Sequence, residues 1–286
     1  MKNFRQIQLI LGALFVISAF ILFIIFAKPQ ASADLKVYFF DVGQGDSEYI
    51  KLSDGSDILI DGGPDDKVLA ELGRAMNFGD REINLVVLSH PHADHLTGLI
   101  EVLERYEVDE IWESGVEYPS ATYDEWKKAV REKNIPDKKV IAGDEKNIGS
   151  LNFKVLYPLS SLENKTIDNL NNASVVNRLD YDKFSAIFLG DAEKPVQAQI
   201  AAQMQPATVI KMAHHGSENG TWEDFLKVVR PAIAVIEVGK DNKYGHPAAS
   251  TINLLKNLAI RIYRTDQNGT VEISSDGNNY SIQSQR

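Results

Sequence analysis

The apolar positions of this chain fall into short strand-like runs interrupted by a few helical ones. Residues 36–42, 47–52 and 57–61 are β-like segments broken by Gly and Asp turns, and together they predict a meander opening a sheet. Residues 65–76 turn to a helical period. The run NLVVLS at 84–89 is β-rich and ends on a histidine cluster, and residues 96–106 are helical again. The middle of the chain predicts weak strands at 109–112, 139–141 and 151–157, an amphipathic helix near 123–132 and a polar loop at 163–172. Strands at 174–179 and 184–189 lead to Gly190-Asp191, and 208–212 leads to His214-His215. A strand at 232–238, a loop at 240–247, a helix at 249–258 and closing strands near 260–263 and 270–273 complete the pattern. Two halves, each a sheet with helices outside, predict an α/β fold of the four-layer αβ/βα type over residues 34–286.

Ahead of this lies LILGALFVISAFILFIIFA, residues 9–27, without a charge and preceded by Lys2 and Arg5. As a helix it spans about 28 Å at about 1.5 Å per residue, enough to cross a bilayer. The leading bases place the N-terminus in the cytoplasm and the remainder outside. Ala31-Ser32-Ala33 also reads as a signal-peptidase site, so residues 1–33 form an anchor or a cleaved signal. The run is longer than the usual core of a cleaved signal, which makes a single-pass anchor in the cell membrane the expectation, with secretion as the alternative.

Beyond residue 33 the chain carries 27 bases against 40 acids, a formal charge of −13. That is a poor surface for non-specific attraction to DNA or anionic lipid. There is no cysteine, which excludes disulfides and thiolate chemistry.

All six histidines fall in three windows: His90, His92 and His95; His214 and His215; His246. Each window ends a strand-like run or occupies the loop after one, where sites are commonly built. In His90-Pro91-His92-Ala93-Asp94-His95, residues two apart can point the same way as the chain leaves the strand, and the next turn brings Asp94 and His95 to a neighbouring point. Imidazole and carboxylate suit zinc or manganese. Two such ions about 3.5 to 4 Å apart can hold a hydroxide nucleophile and polarise a phosphoryl or carbonyl oxygen.

The cluster occurs with Phe39-Phe40-Asp41-Val42-Gly43-Gln44-Gly45-Asp46-Ser47, Leu59-Ile60-Asp61-Gly62-Gly63, Gly190-Asp191-Ala192-Glu193, His214-His215-Gly216-Ser217 and Gly245-His246-Pro247. In order and spacing these resemble the metallo-β-lactamase superfamily, and more narrowly the C-terminal hydrolase domain of ComEC competence proteins, over about residues 35–275. The multi-span channel of those proteins is replaced here by one apolar run. The resemblance implies a metallo-β-lactamase sandwich with two divalent ions. By position it implies His90 and His92 on one metal, Asp94, His95 and His246 on the second, and Asp191 bridging. Asp61 would orient the site by holding the far nitrogen of a ligand imidazole. His214 or His215 resembles the histidine that contacts or protonates a phosphodiester leaving group, so these two join Asp94 in the catalytic set.

One departure stands out, because most members have a further histidine between the first cluster and the bridging aspartate and none lies between His95 and Asp191. Asn171-Asn172 sits in that interval, where Asn172 either touches metal or substrate or only closes a turn. The 41–46 loop reads as a strand-to-strand turn more readily than as an anion nest, with Asp41 or Asp46 supporting the metal loop. Trp112, Tyr118, Tyr123 and Trp126 read as packing residues rather than base-stacking ones.

The expected function is a metal-dependent phosphodiesterase or nuclease acting on DNA outside the membrane, in association with DNA-uptake machinery. Hydrolysis of another ester, such as a phosphocholine or a lactone, and a non-catalytic accessory role in DNA uptake are the alternatives.

Overall fold

Strands whose side chains alternate between two apolar faces must be covered on both sides, and this chain folds accordingly. The computed structural model describes residues 34–286; the apolar run at 9–27, and the anchor or signal expected there, lie outside the described residues. Among the described residues no helix is long and apolar enough to cross a membrane.

The first half supplies β1 (Leu35–Phe39), β2 (Glu48–Leu52), β3 (Asp57–Ile60), β4 (Glu82–Ile83), β5 (Leu85–Leu88), β6 (Glu107–Val108), β7 (Ile111–Glu113) and β8 (Asp137–Lys139). Helices α1 (Lys67–Ala75), α2 (Ala93–Arg105) and α3 (Ala121–Lys133) lie between them. The second half supplies β9 (Glu145–Ile148), β10 (Leu151–Tyr157), β11 (Val176–Tyr181), β12 (Phe184–Phe188), β13 (Val209–Lys211), β14 (Ile233–Ile236) and β15 (Arg261–Arg264). Here α4 (Lys194–Ile200), α5 (Glu223–Val229) and α6 (Ala249–Asn257) are the covering helices. The chain then returns to the first sheet as β16 (Val271–Ser275) and β17 (Tyr280–Ser284). One sheet has the order β17-β16-β1-β2-β3-β5-β7-β8, the other β15-β14-β13-β12-β11-β10-β9.

The alternation decides which layer each side chain enters. Val37, Phe39, Ile50, Ile60, Val87 and Trp112 meet Phe153, Val155, Leu179, Phe188, Val209 and Val235 between the sheets. Their strand neighbours Tyr38, Tyr49, Leu59, Val86 and Leu88 pack outward on Leu72, Leu99, Leu103 and Trp126 of α1 to α3. In the second half Ile187, Ile210 and Ile236 pack outward on Val196, Phe225 and Leu255 of α4 to α6. The αβ/βα sandwich expected from the sequence is the observed architecture. Several elements were not expected: β9, β17, α4 and α5. The polar loop at 163–172 also runs into a 3₁₀ turn at Leu170–Ala173.

Strands β3, β5, β7 and β8 run parallel, as do β12 to β15. Their carboxyl ends deliver the chemistry: β5 runs into Ser89-His90, β12 into Gly190-Asp191, and β13 into His214-His215. Ligands of parallel α/β sheets gather at this end of the strands.

A buried carboxyl at the opposite end of β3 gives a test of the first sheet. Asp57 is 2% exposed; its Oδ2 accepts from the Tyr49 hydroxyl at 2.6 Å and its Oδ1 from the Asn84 N–H at 2.9 Å. Burial pushes it up to about 6, against the pull of those two donors. The folded chain therefore binds this proton more tightly than the unfolded chain, and stability from Asp57 falls as pH rises from about 4 through 6. Urea midpoints across that range should show the wild type losing roughly 3 kcal/mol more than Asp57→Asn, which cannot titrate. Parallel pH profiles for the two proteins would refute this assignment.

Candidate metal centre

Strand β5 ends in Leu88, and the chain leaves it extended through His92 before α2 begins at Ala93. His90 and His95 are both fully buried, with ring centroids 4.3 Å apart, while His92 faces His90 edge-on at 4.7 Å. The loop is held by close backbone approach. Gly45 lies against the Asp94 carbonyl and Gly98 of α2 against the Gly62 carbonyl, where a Cβ at either glycine would collide. That approach brings Asp61 beneath the cluster. The Asp61 carboxylate accepts from the Ser89 N–H at 2.8 Å and the Ser89 hydroxyl at 2.6 Å, and its Oδ2 lies 2.7 Å from His95 Nδ1. This is the orienting contact expected of Asp61.

The second half completes the cavity wall. Asp191 follows β12 and is 2% exposed; its Oδ2 lies 3.4 Å from His95 Nε2 and 3.8 Å from His90 Nε2. His214 and His215 follow β13 in left-handed backbone conformations, at φ 51° and 53°. Non-glycine residues avoid that region, and exceptions gather at functional sites. The turn sends the two rings different ways. His215 is buried, with Nε2 at 3.3 Å from Asp94 Oδ2 and Nδ1 at 3.0 Å from the Glu237 carbonyl. His214 is partly exposed, with Nε2 at 4.0 Å from Asp191 Oδ2 and Nδ1 at 3.5 Å from Glu193 Oε1.

Candidate ligand atoms therefore converge in overlapping groups: His90 with His95 and Asp191, and Asp94 with His95 and His215, each within 4.8 Å. His246 stands outside both groups, its ring 5.4 Å from that of His214 and 6.4 Å from that of His215. Its expected place beside Asp94 and His95 is held by His215. His92 borders the first group through its 2.9 Å contact with His90 Nε2, and Tyr118 closes over it edge-on at 5.8 Å.

The protonation pattern suits a cation. Burial, reinforced by neighbouring His95, holds His90 and His92 below the ordinary imidazole range, which keeps them neutral. Burial alone would raise Asp191 and Asp94, yet His95 with His215 holds both below the usual carboxylate range. His95 is opposed by burial, but Asp191, Asp61 and Asp94 together hold it well above its ordinary value. Acids arranged tightly enough to keep a proton on a buried imidazole can instead hold a metal ion, which displaces that proton. His95 Nε2 and Asp191 Oδ1 are buried without a hydrogen-bond partner, as ligand atoms awaiting an ion would be. The residues fit a divalent metal centre.

Asp46, one of the two acids expected to support the metal loop, enters the site region, and so do Asn171, Lys211 and Glu237 from positions the sequence pattern left unassigned. Asn171, rather than Asn172, faces it: its amide nitrogen lies 3.1 Å from Glu193 Oε1 and 3.3 Å from His214 Nδ1, and its oxygen is buried without a partner. Asn172 closes the turn, its Oδ1 accepting from the Glu193 N–H at 3.2 Å. Beneath His95 and His215 lies Asp46, paired with the buried ammonium of Lys211, and Glu237 accepts from the Ser47 N–H at 3.0 Å. Trp112, Tyr123 and Trp126 are buried packing residues, and the latter two donate to Glu113.

Comparisons with known proteins bear on the family and the fold. The model of the metallo-beta-lactamase superfamily matches residues 40–239. The chain is 30% identical over 274 residues to ComE operon protein 3 of Bacillus subtilis, covering 88% of this chain and 34% of that protein. It is 25% identical over 250 residues to competence protein ComA of Neisseria gonorrhoeae, covering 86% and 33%. The chain thus spans about a third of the length of these curated relatives. Among solved structures, the metallo-beta-lactamase fold protein YhfI of Bacillus subtilis superposes with a TM-score of 0.52 at 12% identity, covering 81% of this chain and 96% of that one. Zinc-bound PqqB of Methylobacterium extorquens gives 0.50 at 10% identity, covering 77% and 85%. The chain belongs to the metallo-beta-lactamase superfamily and is similar in sequence to competence proteins.

Proposed function

We propose that the chain is a binuclear metal phosphodiesterase that cleaves DNA outside the cell membrane, as part of a DNA-uptake system. The observation that carries this reading is the overlap of neighbouring donor groups, which suits a pair of ions: the His90 and Asp94 groups share His95, and Asp191 belongs both to the His90 group and to one with Asp46 and His215. His90, His92 and Asp191 would hold one ion, with Asn171 near the place of the absent histidine. Asp94, His95 and His215 would hold the other, Asp191 lying between. Bound there, two divalent ions, zinc or manganese, supply Lewis acidity and a water nucleophile of lowered pKa.

The protein's own groups do the remaining work. Asp61 fixes the His95 ring, and the Glu237 carbonyl fixes the His215 ring, so neither imidazole has to reorient during turnover. His214 is the better placed of the adjacent pair to protonate a leaving oxygen. It is partly exposed, faces Asp191 through Nε2, and is oriented at Nδ1 by Glu193 and Asn171. The charge-free run at 9–27 behind Lys2 and Arg5 supports the extracytoplasmic placement, and the similarity to competence proteins supports DNA as the substrate.

The purified chain should hydrolyse bis(p-nitrophenyl) phosphate and DNA with added Mn²⁺ or Zn²⁺. His214→Ala should lose most on substrates with poor leaving groups, where a proton donor is needed most. Hydrolysis of a lactone or phosphocholine ester with no cleavage of either phosphodiester would move the reading to another ester. Silence on every substrate would point to a non-catalytic accessory.

A further inference from the structure

A series of rings leads from the metal centre to the surface. His95 and His215 lie 5.7 Å apart at 32°, His215 and His246 6.4 Å apart at 33°, and His246 and Tyr244 6.0 Å apart at 16°. The inner rings are buried, His246 is half-buried, and Tyr244 is 59% exposed. A lone exposed aromatic is ordinary. Phe78, which is fully exposed between α1 and β4, is an example and has no ring partner among the described residues. Tyr244 differs because its plane is nearly aligned with a ring at the mouth of the site.

The loop that carries it is built to hold that plane. The Asn242 amide nitrogen donates to the Gly239 carbonyl at 3.0 Å and the His246 carbonyl at 2.7 Å, and its oxygen accepts from the N–H groups of Tyr244 and His246 at 3.2 and 3.1 Å. Gly239 is itself tied to the 41–46 loop, its N–H donating to Gln44 Oε1 at 3.0 Å. A pinned loop with an outward aromatic loses little freedom when a planar ligand settles on it. The loop carries two exposed lysines and one exposed acid, Asp241, a small net positive charge on a chain that is otherwise acidic. Lys243 lies with its Nζ 5.3 Å from the Tyr244 centroid, and Lys240 is exposed at the start of the same loop. An exposed lysine over a ring is a weak contact, so a planar ligand stacking on Tyr244 can displace it toward an anion.

We propose that Tyr244, flanked by Lys243 and Lys240, is a stacking platform for an unpaired base of single-stranded DNA whose phosphodiester enters the His/Asp cluster. The proposal rests on the phosphodiesterase reading and narrows it to strands whose bases are free. Stacking is sequence-tolerant, since every base has a π-face, and the lysines then face the backbone on either side. A net-negative protein can thus engage DNA through a local aromatic and basic feature.

The test compares binding of the full chain to a short labelled oligo(dT), to an abasic oligonucleotide of equal length and to a duplex, by fluorescence anisotropy. Hydrolysis of bis(p-nitrophenyl) phosphate by the wild type is measured alongside. The wild type should prefer oligo(dT) to the abasic strand about tenfold, Tyr244→Ala should lose that preference, and Tyr244→Trp should regain it. The duplex, with its bases paired, should show no Tyr244-dependent component. A preference for oligo(dT) undiminished in Tyr244→Ala overturns the platform even if the ester is hydrolysed. A wild type that cleaves neither the ester nor DNA overturns the phosphodiesterase reading, and the platform falls with it.

Discussion

Asp191→Ala is expected to lower metal-dependent hydrolysis by about a thousandfold or more and to leave the purified chain depleted of metal. Asp191 is the carboxylate that touches both halves of the centre, facing His90, His95 and His214 through Oδ2 while Oδ1 has no hydrogen-bond partner. Its removal takes the shared anion from both proposed sites at once. Neutral imidazoles cannot replace the charge that compensates a dication in a dry site. Metal assistance is worth several kcal/mol of transition-state stabilisation, and each 1.36 kcal/mol is a factor of ten in rate, which gives the thousandfold scale. Chelation of the wild type should produce the same loss and readdition of Mn²⁺ or Zn²⁺ should reverse it, whereas Asp191→Ala should not respond. Metal content by mass spectrometry, measured beside the rate, separates this from a defect in chemistry alone. An Asp191→Ala protein that keeps two equivalents of metal and turns over within tenfold of the wild type would sink the bridging assignment.

Much of this centre can be read from the chain because its parts are local. His90, His92, Asp94 and His95 sit within one strand-to-helix turn, and the apolar run before them marks the strand end. What sequence spacing does not carry is which way a side chain leaves a turn. His214 and His215 are adjacent, and only the left-handed backbone at both positions sends His215 inward to Asp94 and leaves His214 at the mouth. That turn also decides between His215 and His246 beside Asp94. Asn171 and Asn172 differ in the same way, one facing Glu193 and His214 and the other closing its turn.

The unexpected secondary structure has a physical reason too. Strand β17 (YSIQS) is largely exposed at the sheet edge, so no apolar face announces it. Helix α4 is only seven residues long and carries Pro195 in its first turn, too short for a helical period to emerge. The return of β16 to pair with β1 joins residues more than two hundred positions apart, and no local pattern encodes such a pairing. One signal was present in the sequence. Glu48, Lys211 and Glu237 are charged residues inside apolar strand runs, where a charge is retained only if it is paired.

That pairing sets the expected result for Lys211→Met, a loss of about 3 to 5 kcal/mol of folding stability with the secondary structure retained. Lys211 is fully buried on β13; its ammonium lies against Asp46 and donates to the Gly190 carbonyl at 3.1 Å. Burial pulls the ammonium down, and the Glu237 carboxylate opposes that pull. Asp46, Glu48 and Glu237 form one buried acidic group with the Lys211 ammonium beside it. Burial, with Glu237 adding to it, raises Glu48 well above the ordinary range, and Glu237 is raised chiefly by burial while Lys211 pulls it down. Remove the cation and the Asp46 carboxylate is left buried against His215 Nδ1 at 3.2 Å and His95 Nδ1 at 3.6 Å, its strongest partner gone. An uncompensated buried charge, rather than the lost methylenes, dominates the cost, because methionine fills nearly the same volume. A domain of ordinary stability has only about 5 to 15 kcal/mol to lose, so the urea midpoint should fall by about a fifth or more. Adding Asp46→Asn to Lys211→Met removes the stranded charge, and the double variant should recover at least about 1 kcal/mol relative to Lys211→Met alone. If Lys211→Met is neutral, or if the two substitutions are simply additive, the Asp46–Lys211 pair does not anchor the floor of the metal centre. If they couple as expected, the pair that stabilises the fold is the one that lies directly against His95 and His215.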